Sequence, residues 1–206
     1  MCNGASKNAT AIERDIFYEI AGPPPPSAQP ETINLKPEEV QKYVALWRDE
    51  KTHFPVRSVV QNGVLRVPGG PLRSRGDGSF QVGPAKFTFT FAKDGKPISA
   101  ERDIDGEVTH LIAEPEWKPT AEDLNAFAGT WHSDEADATF SIVIEDGKAF
   151  AMQRPASRLP LQPVYKDHFT APGEIIWFTR DKNGLKLHVG ASRTRDMPFE
   201  RVETKK

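Results

Sequence analysis

The feature that most restricts this 206-residue chain is that it repeats itself. Pro37-Glu38-Glu39-Val40, followed by Tyr43-Val44 and Trp47, lines up with Ala121-Glu122-Asp123-Leu124, Phe127-Ala128 and Trp131 at a constant offset of 84. The same offset carries Asn62-Gly63 onto Asp146-Gly147. Further on, Phe91 with Asp94-Gly95 corresponds loosely to Phe178 with Asn183-Gly184, a few residues having been inserted in the second copy. A fixed period of this length is the mark of one structural unit used twice. Each unit opens with a short helical turn that leads into a strand holding an aromatic pair.

The local pattern says what the unit is made of. Short apolar stretches are separated by Asn62-Gly63, Asp77-Gly78, Asp94-Gly95 and Asp105-Gly106 in the first half. Asp146-Gly147, Pro172-Gly173 and Asn183-Gly184 punctuate the second. Such pairs favour tight hairpins, because glycine and asparagine tolerate the positive φ these turns need. Between them residues alternate as in half-buried strands, with Phe87, Phe89 and Phe91 on one face and Lys86, Thr88 and Thr90 on the other. The prediction is an all-β chain of two tandem antiparallel up-and-down barrels of about eight strands each. Residues 31–117 form the first barrel and 118–206 the second.

A different element precedes them. Ile12, Ile16 and Ile20 recur every four residues with Phe17 beside them, so residues from Asn8 to Ile20 read as a short helix that Ser6, Asn8 or Thr10 caps. Gly22 and the run Pro23 to Pro26 stop it, and residues 1–30 are read as a helical leader with a proline-rich linker. Its apolar face needs a partner, which points to docking on a barrel or to a homodimer through the leader helix.

Several function classes are excluded on composition. A net charge of −2 with dispersed Lys and Arg leaves no electrostatic footprint for nucleic acid. No run of about 20 apolar residues marks a membrane span, and no signal peptide is recognisable. The single cysteine, Cys2, rules out an internal disulfide or a cysteine-rich metal site. No cofactor is implied.

Gly129-Thr130-Trp131 at the start of the second unit resembles the Gly-x-Trp signature of lipocalin-like barrels. In that arrangement Arg193, Arg195 or Arg201 supplies the cation that packs on the tryptophan and latches last strand to first. The first unit keeps the tryptophan in Ala45-Leu46-Trp47 but not the glycine. Together with the tandem order, this resembles the C-terminal lipocalin-like domains of penicillin-recognising serine hydrolases, the β-lactamase-like and D-aminopeptidase-type proteins. The leader, with Cys2-Asn3-Gly4, Ser6 and Asn8-Ala9 ahead of the isoleucine-striped helix, is similar to the end of that family's catalytic domain. The resemblance implies a β-lactamase-like catalytic domain as partner in the parent architecture, and a bacterial, periplasmic or secreted setting. The family's Ser-x-x-Lys nucleophile has no counterpart here, since no serine has lysine three places later.

Candidate chemistry is sparse. His53, His110, His132, His168 and His188 lack the spacing of a preassembled zinc site. His132 is followed by Asp134, Glu135 and Asp137, which read either as a calcium-binding carboxylate group or as a solvated acidic loop. His188, between Leu187 and Val189, alternates across a barrel wall. With a carboxylate partner, His132 or His188 would be the catalytic candidate of a free-standing hydrolase of esters, lactones or amides. Trp131, Phe140, Phe150, Phe169, Trp177 and Phe178 supply aromatic surface for a barrel interior. Trp131, Phe150 and Trp177, with Arg193 and Arg195, are the candidate ligand-binding set. Arg154 and Arg158 with those two arginines read either as an anion-binding rim or as solvated charges at hairpin ends. The leading expectation is a non-catalytic module that gates the substrate cleft of a serine hydrolase. A free-standing hydrolase and a carrier of small hydrophobic ligands are the alternatives.

Overall fold

A computed structural model describes residues 16–17, 19–22, 35–153, 157–182, 184–191, 194 and 196–202. Residues 1–31 and 32–206 are separate compact units. In the first, residues 16–17 and 19–21 are helical. The remainder of the expected Asn8–Ile20 helix and the proline linker lie outside the described residues.

Among its described residues the second unit is all-β apart from two single-turn helices. Helix α1 (Pro37–Gln41) leads into β1 (Ala45–Asp49), β2 (Pro55–Gln61), β3 (Val64–Val67), β4 (Gly70–Pro71), β5 (Arg73–Ser74), β6 (Ser79–Val82), β7 (Ala85–Phe91), β8 (Pro97–Ile104) and β9 (Glu107–Glu114). Helix α2 (Ala121–Asn125) leads into β10 (Gly129–Ser133), β11 (Ala138–Glu145), β12 (Lys148–Met152), β13 (Leu159–Pro163), β14 (His168–Ala171), β15 (Glu174–Asp181), β16 (Gly184–Ala191) and β17 (Met197–Arg201). Strands β10 to β17 form a closed eight-stranded barrel in sequence order, β17 pairing with β10. The first half is a nine-stranded sheet of the same up-and-down order, with β9 beside β1 and with β4 and β5 at its two edges. Those edges are consecutive in the chain, separated only by Leu72, so the sheet curls until they meet. Leu72 is buried in the core and its N–H donates to the Leu65 carbonyl at 2.8 Å. A Cβ on Gly70 would lie 3.4 Å from Val82 Cγ2 of β6, which shows how near the edges come.

The two barrels match in register as well as order. Ala45 pairs with Ser58 and Trp47 with Val56, while Gly129 pairs with Ile142 and Trp131 with Phe140, the same pairing moved by the sequence offset. Asn62-Gly63, Asp105-Gly106 and Asp146-Gly147 all place both residues at positive φ, the hairpin geometry those pairs favour. Helix α2 is capped reciprocally: the Asp123 N–H donates to Thr120 Oγ1, and the Thr120 N–H donates to the Asp123 carboxylate.

Each barrel has its own core. Trp47, Phe80, Phe87 and Leu111 anchor the first, with Phe89 and Phe91 packed against them, as the alternation in β7 predicts. Trp131, Phe140, Phe169, Phe178 and Leu187 anchor the second. A third cluster, Leu46, Val164, Tyr165, Ile175 and Trp177 with Phe54 against it, joins the outer faces of the two barrels. Leu46 alternates with the interior residue Trp47, and Trp177 with the interior residues Ile176 and Phe178, so both project outward into this seam.

Candidate functional site

At one end of the second barrel the last strand is latched to the first. Trp131 is fully buried and its Nε1 donates to the Phe127 carbonyl at 3.2 Å. Arg201, its cross-strand partner on β17, lies over the indole with its Cζ 4.9 Å from the ring centroid. The Arg201 Nη2 donates to the carbonyls of Ala126 and Ala128 at 2.6 and 3.0 Å, tying the last strand to the segment after α2. Of the three arginines the sequence offers for this latch, Arg201 is the one on the tryptophan; Arg193 and Arg195 lie outside the described residues. Gly129 has φ +141°, and a Cβ there would stand 3.5 Å from Arg201 Nε, so the glycine serves the bend of the chain beneath the arginine. The first barrel solves the same problem differently. Trp47 Nε1 donates to Ser58 Oγ at 2.8 Å, and Ser58, itself buried, donates to the Tyr43 carbonyl and accepts the Ala45 N–H at 3.0 Å.

The opposite end of the second barrel is hollow. A cavity of about 460 Å³ is lined by the apolar Ala138, Phe140, Ala151, Ile176, Val189 and Phe199, with Gln153, Ser157 and Glu174 supplying polar atoms. The space exists because the inward positions of β11 and β12 at this level are alanines. Two expected ligand-binding aromatics are not inside. Phe150 stands between the core residues Ala149 and Ala151, so strand alternation turns it to the outer face. Trp177 sits in the seam between barrels. Trp131 is interior, but it does not line this cavity. Arg154 lies outside the described residues; Arg158 is an exposed ion pair with Glu145.

The seam gathers polar groups that are remote in sequence. His53, in the β1–β2 turn at φ 61°, stacks on Trp177 with ring centroids 4.4 Å apart. His188 stacks on Trp177 at 5.2 Å, and His168 lies 5.5 Å from His53. His168 Nε2 is 3.4 Å from His53 Nδ1, although 115 residues separate them in the chain. Tyr165 donates its hydroxyl proton to the His53 carbonyl. Burial pushes the His168 pKa down to about 4, and burial together with the Arg48 guanidinium lowers that of His53. Both rings are therefore neutral at pH 7. Burial holds the Tyr165 phenol well above its ordinary range. Sequence spacing carries no signal for this assembly; only folding brings it together.

His188 and His132 each have the carboxylate partner that a hydrolase reading asks for. His188 lies between Asp196 Oδ1 and Thr179 Oγ1, both at 2.8 Å. His132 lies between Asp134 Oδ1 at 3.0 Å and Thr139 Oγ1 at 2.8 Å. Both threonines are exposed strand residues on the outer wall, where a developing oxyanion would be screened by water rather than held by fixed dipoles. His188 faces outward because Leu187 belongs to the barrel core. Asp134, Glu135 and Asp137 are exposed in the turn between β10 and β11, and Asp134 is spent on His132. Among the described residues no group of three or more His, Cys, Asp or Glu converges as a metal cage, and no helix is long and apolar enough to cross a membrane.

No protein-family model matches the chain, and no curated protein matches it.

Proposed function

We propose that this chain is a non-catalytic binding module of two lipocalin-like barrels, the second of which takes a small, mainly apolar molecule into its open end. The observation that carries this reading is the mainly apolar cavity of about 460 Å³ at the end of that barrel away from Trp131 and Arg201. Its volume falls within the range of small-molecule sites, and apolar walls with a few polar atoms at the rim are their usual lining. Closure of the barrel keeps the backbone ladder satisfied, so a ligand is held by burial of its surface. The test is a titration of the full chain with an anilinonaphthalene sulfonate probe. Saturable enhancement that is lost in Ala151→Phe, with the fold retained by circular dichroism, supports the reading. Equal binding by the filled variant overturns it.

A second reading concerns setting. The Gly-x-Trp opening, the tandem barrels and the leader's resemblance to the end of a penicillin-recognising catalytic domain favour an accessory role beside a serine hydrolase, where a barrel loop borders the substrate cleft. With no Ser-x-x-Lys pair, the chain by itself is expected to leave nitrocefin and D-alanyl p-nitroanilide unhydrolysed. Robust turnover of either would overturn both readings.

A further inference from the structure

The seam between the barrels turns two imidazole nitrogens towards each other. His53 comes from the β1–β2 turn of the first barrel and His168 from the start of β14 in the second. Their ring centroids are 5.5 Å apart, and the facing atoms are His168 Nε2 and His53 Nδ1 at 3.4 Å. That separation is long for a hydrogen bond, since N–H···O bonds end at about 3.2 Å. It fits a different geometry. Two imidazole nitrogens on one tetrahedral zinc ion, each about 2.0–2.1 Å from the metal, stand about 3.3 Å from one another.

The rings are also held in the orientation a metal needs. His168 Nδ1 lies 2.8 Å from the Lys166 carbonyl, which can only accept, so this nitrogen carries the proton and Nε2 keeps its lone pair. A carbonyl on the far nitrogen is the common device by which proteins fix the tautomer of a metal-binding histidine. The plane of His53 is set by its stack on Trp177, and its backbone carbonyl accepts the Tyr165 hydroxyl. Moving the His53 proton to Nε2 leaves Nδ1 free as a second ligand, with no net change in protonation. Asp49 and Asp196 favour positive charge at His53, whereas Arg48 and His188 oppose it. Arg48 is itself paired with Glu114 at 2.8 Å, and His188 with Asp196 at 2.8 Å.

We propose that His53 Nδ1 and His168 Nε2 together bind a divalent transition-metal ion of the zinc class, which ties the first barrel to the second. Imidazole ligands suit zinc and its first-row neighbours. Two protein nitrogens are fewer than a structural zinc site uses, so water completes the coordination and the ion exchanges freely. Each ligand comes from a different barrel. The ion therefore stabilises the closed seam and has no comparable site on either barrel alone.

The experiment titrates the full chain with Zn²⁺, following the heat by calorimetry and the five histidine ring resonances by NMR. Saturable binding that shifts the rings of His53 and His168 ahead of the other three is expected. His53→Asn and His168→Gln should each weaken it by roughly tenfold or more, at least what loss of a ligand's outer partner costs. His110→Gln, which removes an exposed histidine of β9, should bind zinc as the parent does. Zinc should also raise the thermal midpoint of the parent, and raise it less in either seam variant. The NMR arm needs no substitution, so it stands even if a variant folds poorly. No saturable binding, first shifts at other histidines, or unchanged affinity in a folded seam variant would overturn the proposal.

Discussion

His53 of the first barrel lies flat against Trp177 of the second, ring centroids 4.4 Å apart and planes 15° from parallel. The contact is made between neutral rings, and that makes it sensitive to acid. His168 has its pKa lowered to about 4 by burial, from an ordinary 6.5, and His53 is lowered for the same leading reason. A lowered histidine pKa means that the opened or unfolded chain binds the proton more readily than the closed one. Stability is therefore complete above about pH 6.5 and is lost as pH falls towards 4.

For His168 alone that loss should come to about 2 kcal/mol once screening by the solvent that reaches the ring is allowed for. Arg48 and His188 oppose protonation of His53, whereas Asp196 and Asp49 favour it. Denaturant unfolding between pH 7 and pH 4, followed by tryptophan fluorescence, should show this slope. His168→Gln should flatten it, and an unchanged slope in that variant would place the titration elsewhere. His53→Asn, a residue that tolerates positive φ, should weaken the stack without straining the turn.

The latch of Arg201 on Trp131 gives a second expectation. Arg201→Ala removes the cation over Trp131 and two hydrogen bonds to carbonyls, and should cost about 2–4 kcal/mol of unfolding free energy. Gly129→Ala should cost about 1–2 kcal/mol because of its positive φ. A Cβ at Gly129 makes only ordinary contact with Arg201. The glycine penalty should therefore persist in the Arg201→Ala background. A double-mutant cycle in which it vanishes would locate the cost in a clash instead.

Much of this architecture is legible in the sequence, and for a definite reason. A repeat that keeps its offset from Trp47 to Trp131 also keeps its register, and Asn-Gly or Asp-Gly pairs dictate hairpin geometry locally. Phe87, Phe89 and Phe91 announce their face because the residues between them are polar. Strand β15 gives no such clue. Ile175, Ile176, Trp177 and Phe178 are all buried, two inside the barrel and two in the seam, so no alternation tells inward from outward. Phe150 misleads for the complementary reason: its inward neighbours are alanines, and the larger side chain faces out. The pairing of His53 with His168 depends on how two separately legible barrels meet, which no local pattern encodes.

Ser58 carries a third prediction. Its hydroxyl serves Trp47 Nε1 and the backbone of Tyr43 and Ala45 at once, within the core. Ser58→Ala leaves these groups unpaired and should destabilise the chain by about 2–3 kcal/mol, measured by chemical denaturation. The equivalent position in the second barrel, Ile142, is already apolar because Phe127 supplies the acceptor for Trp131. Ile142→Ser should therefore be destabilising rather than a gain.

The strand that breaks at Leu72 has a consequence for motion. The first barrel is joined there by two short pairings, β4 to β3 and β5 to β6, each of two residues, whereas β10 and β17 close the second across a latched tryptophan. A two-residue ladder has few hydrogen bonds to break, so this join is expected to open more readily than the latched closure of the second barrel. Amide protons of residues 70–74 should exchange with solvent faster than those of β10 and β17. The first barrel then has a side door, whereas the second, latched along its closing strands, must fill and empty past its ends.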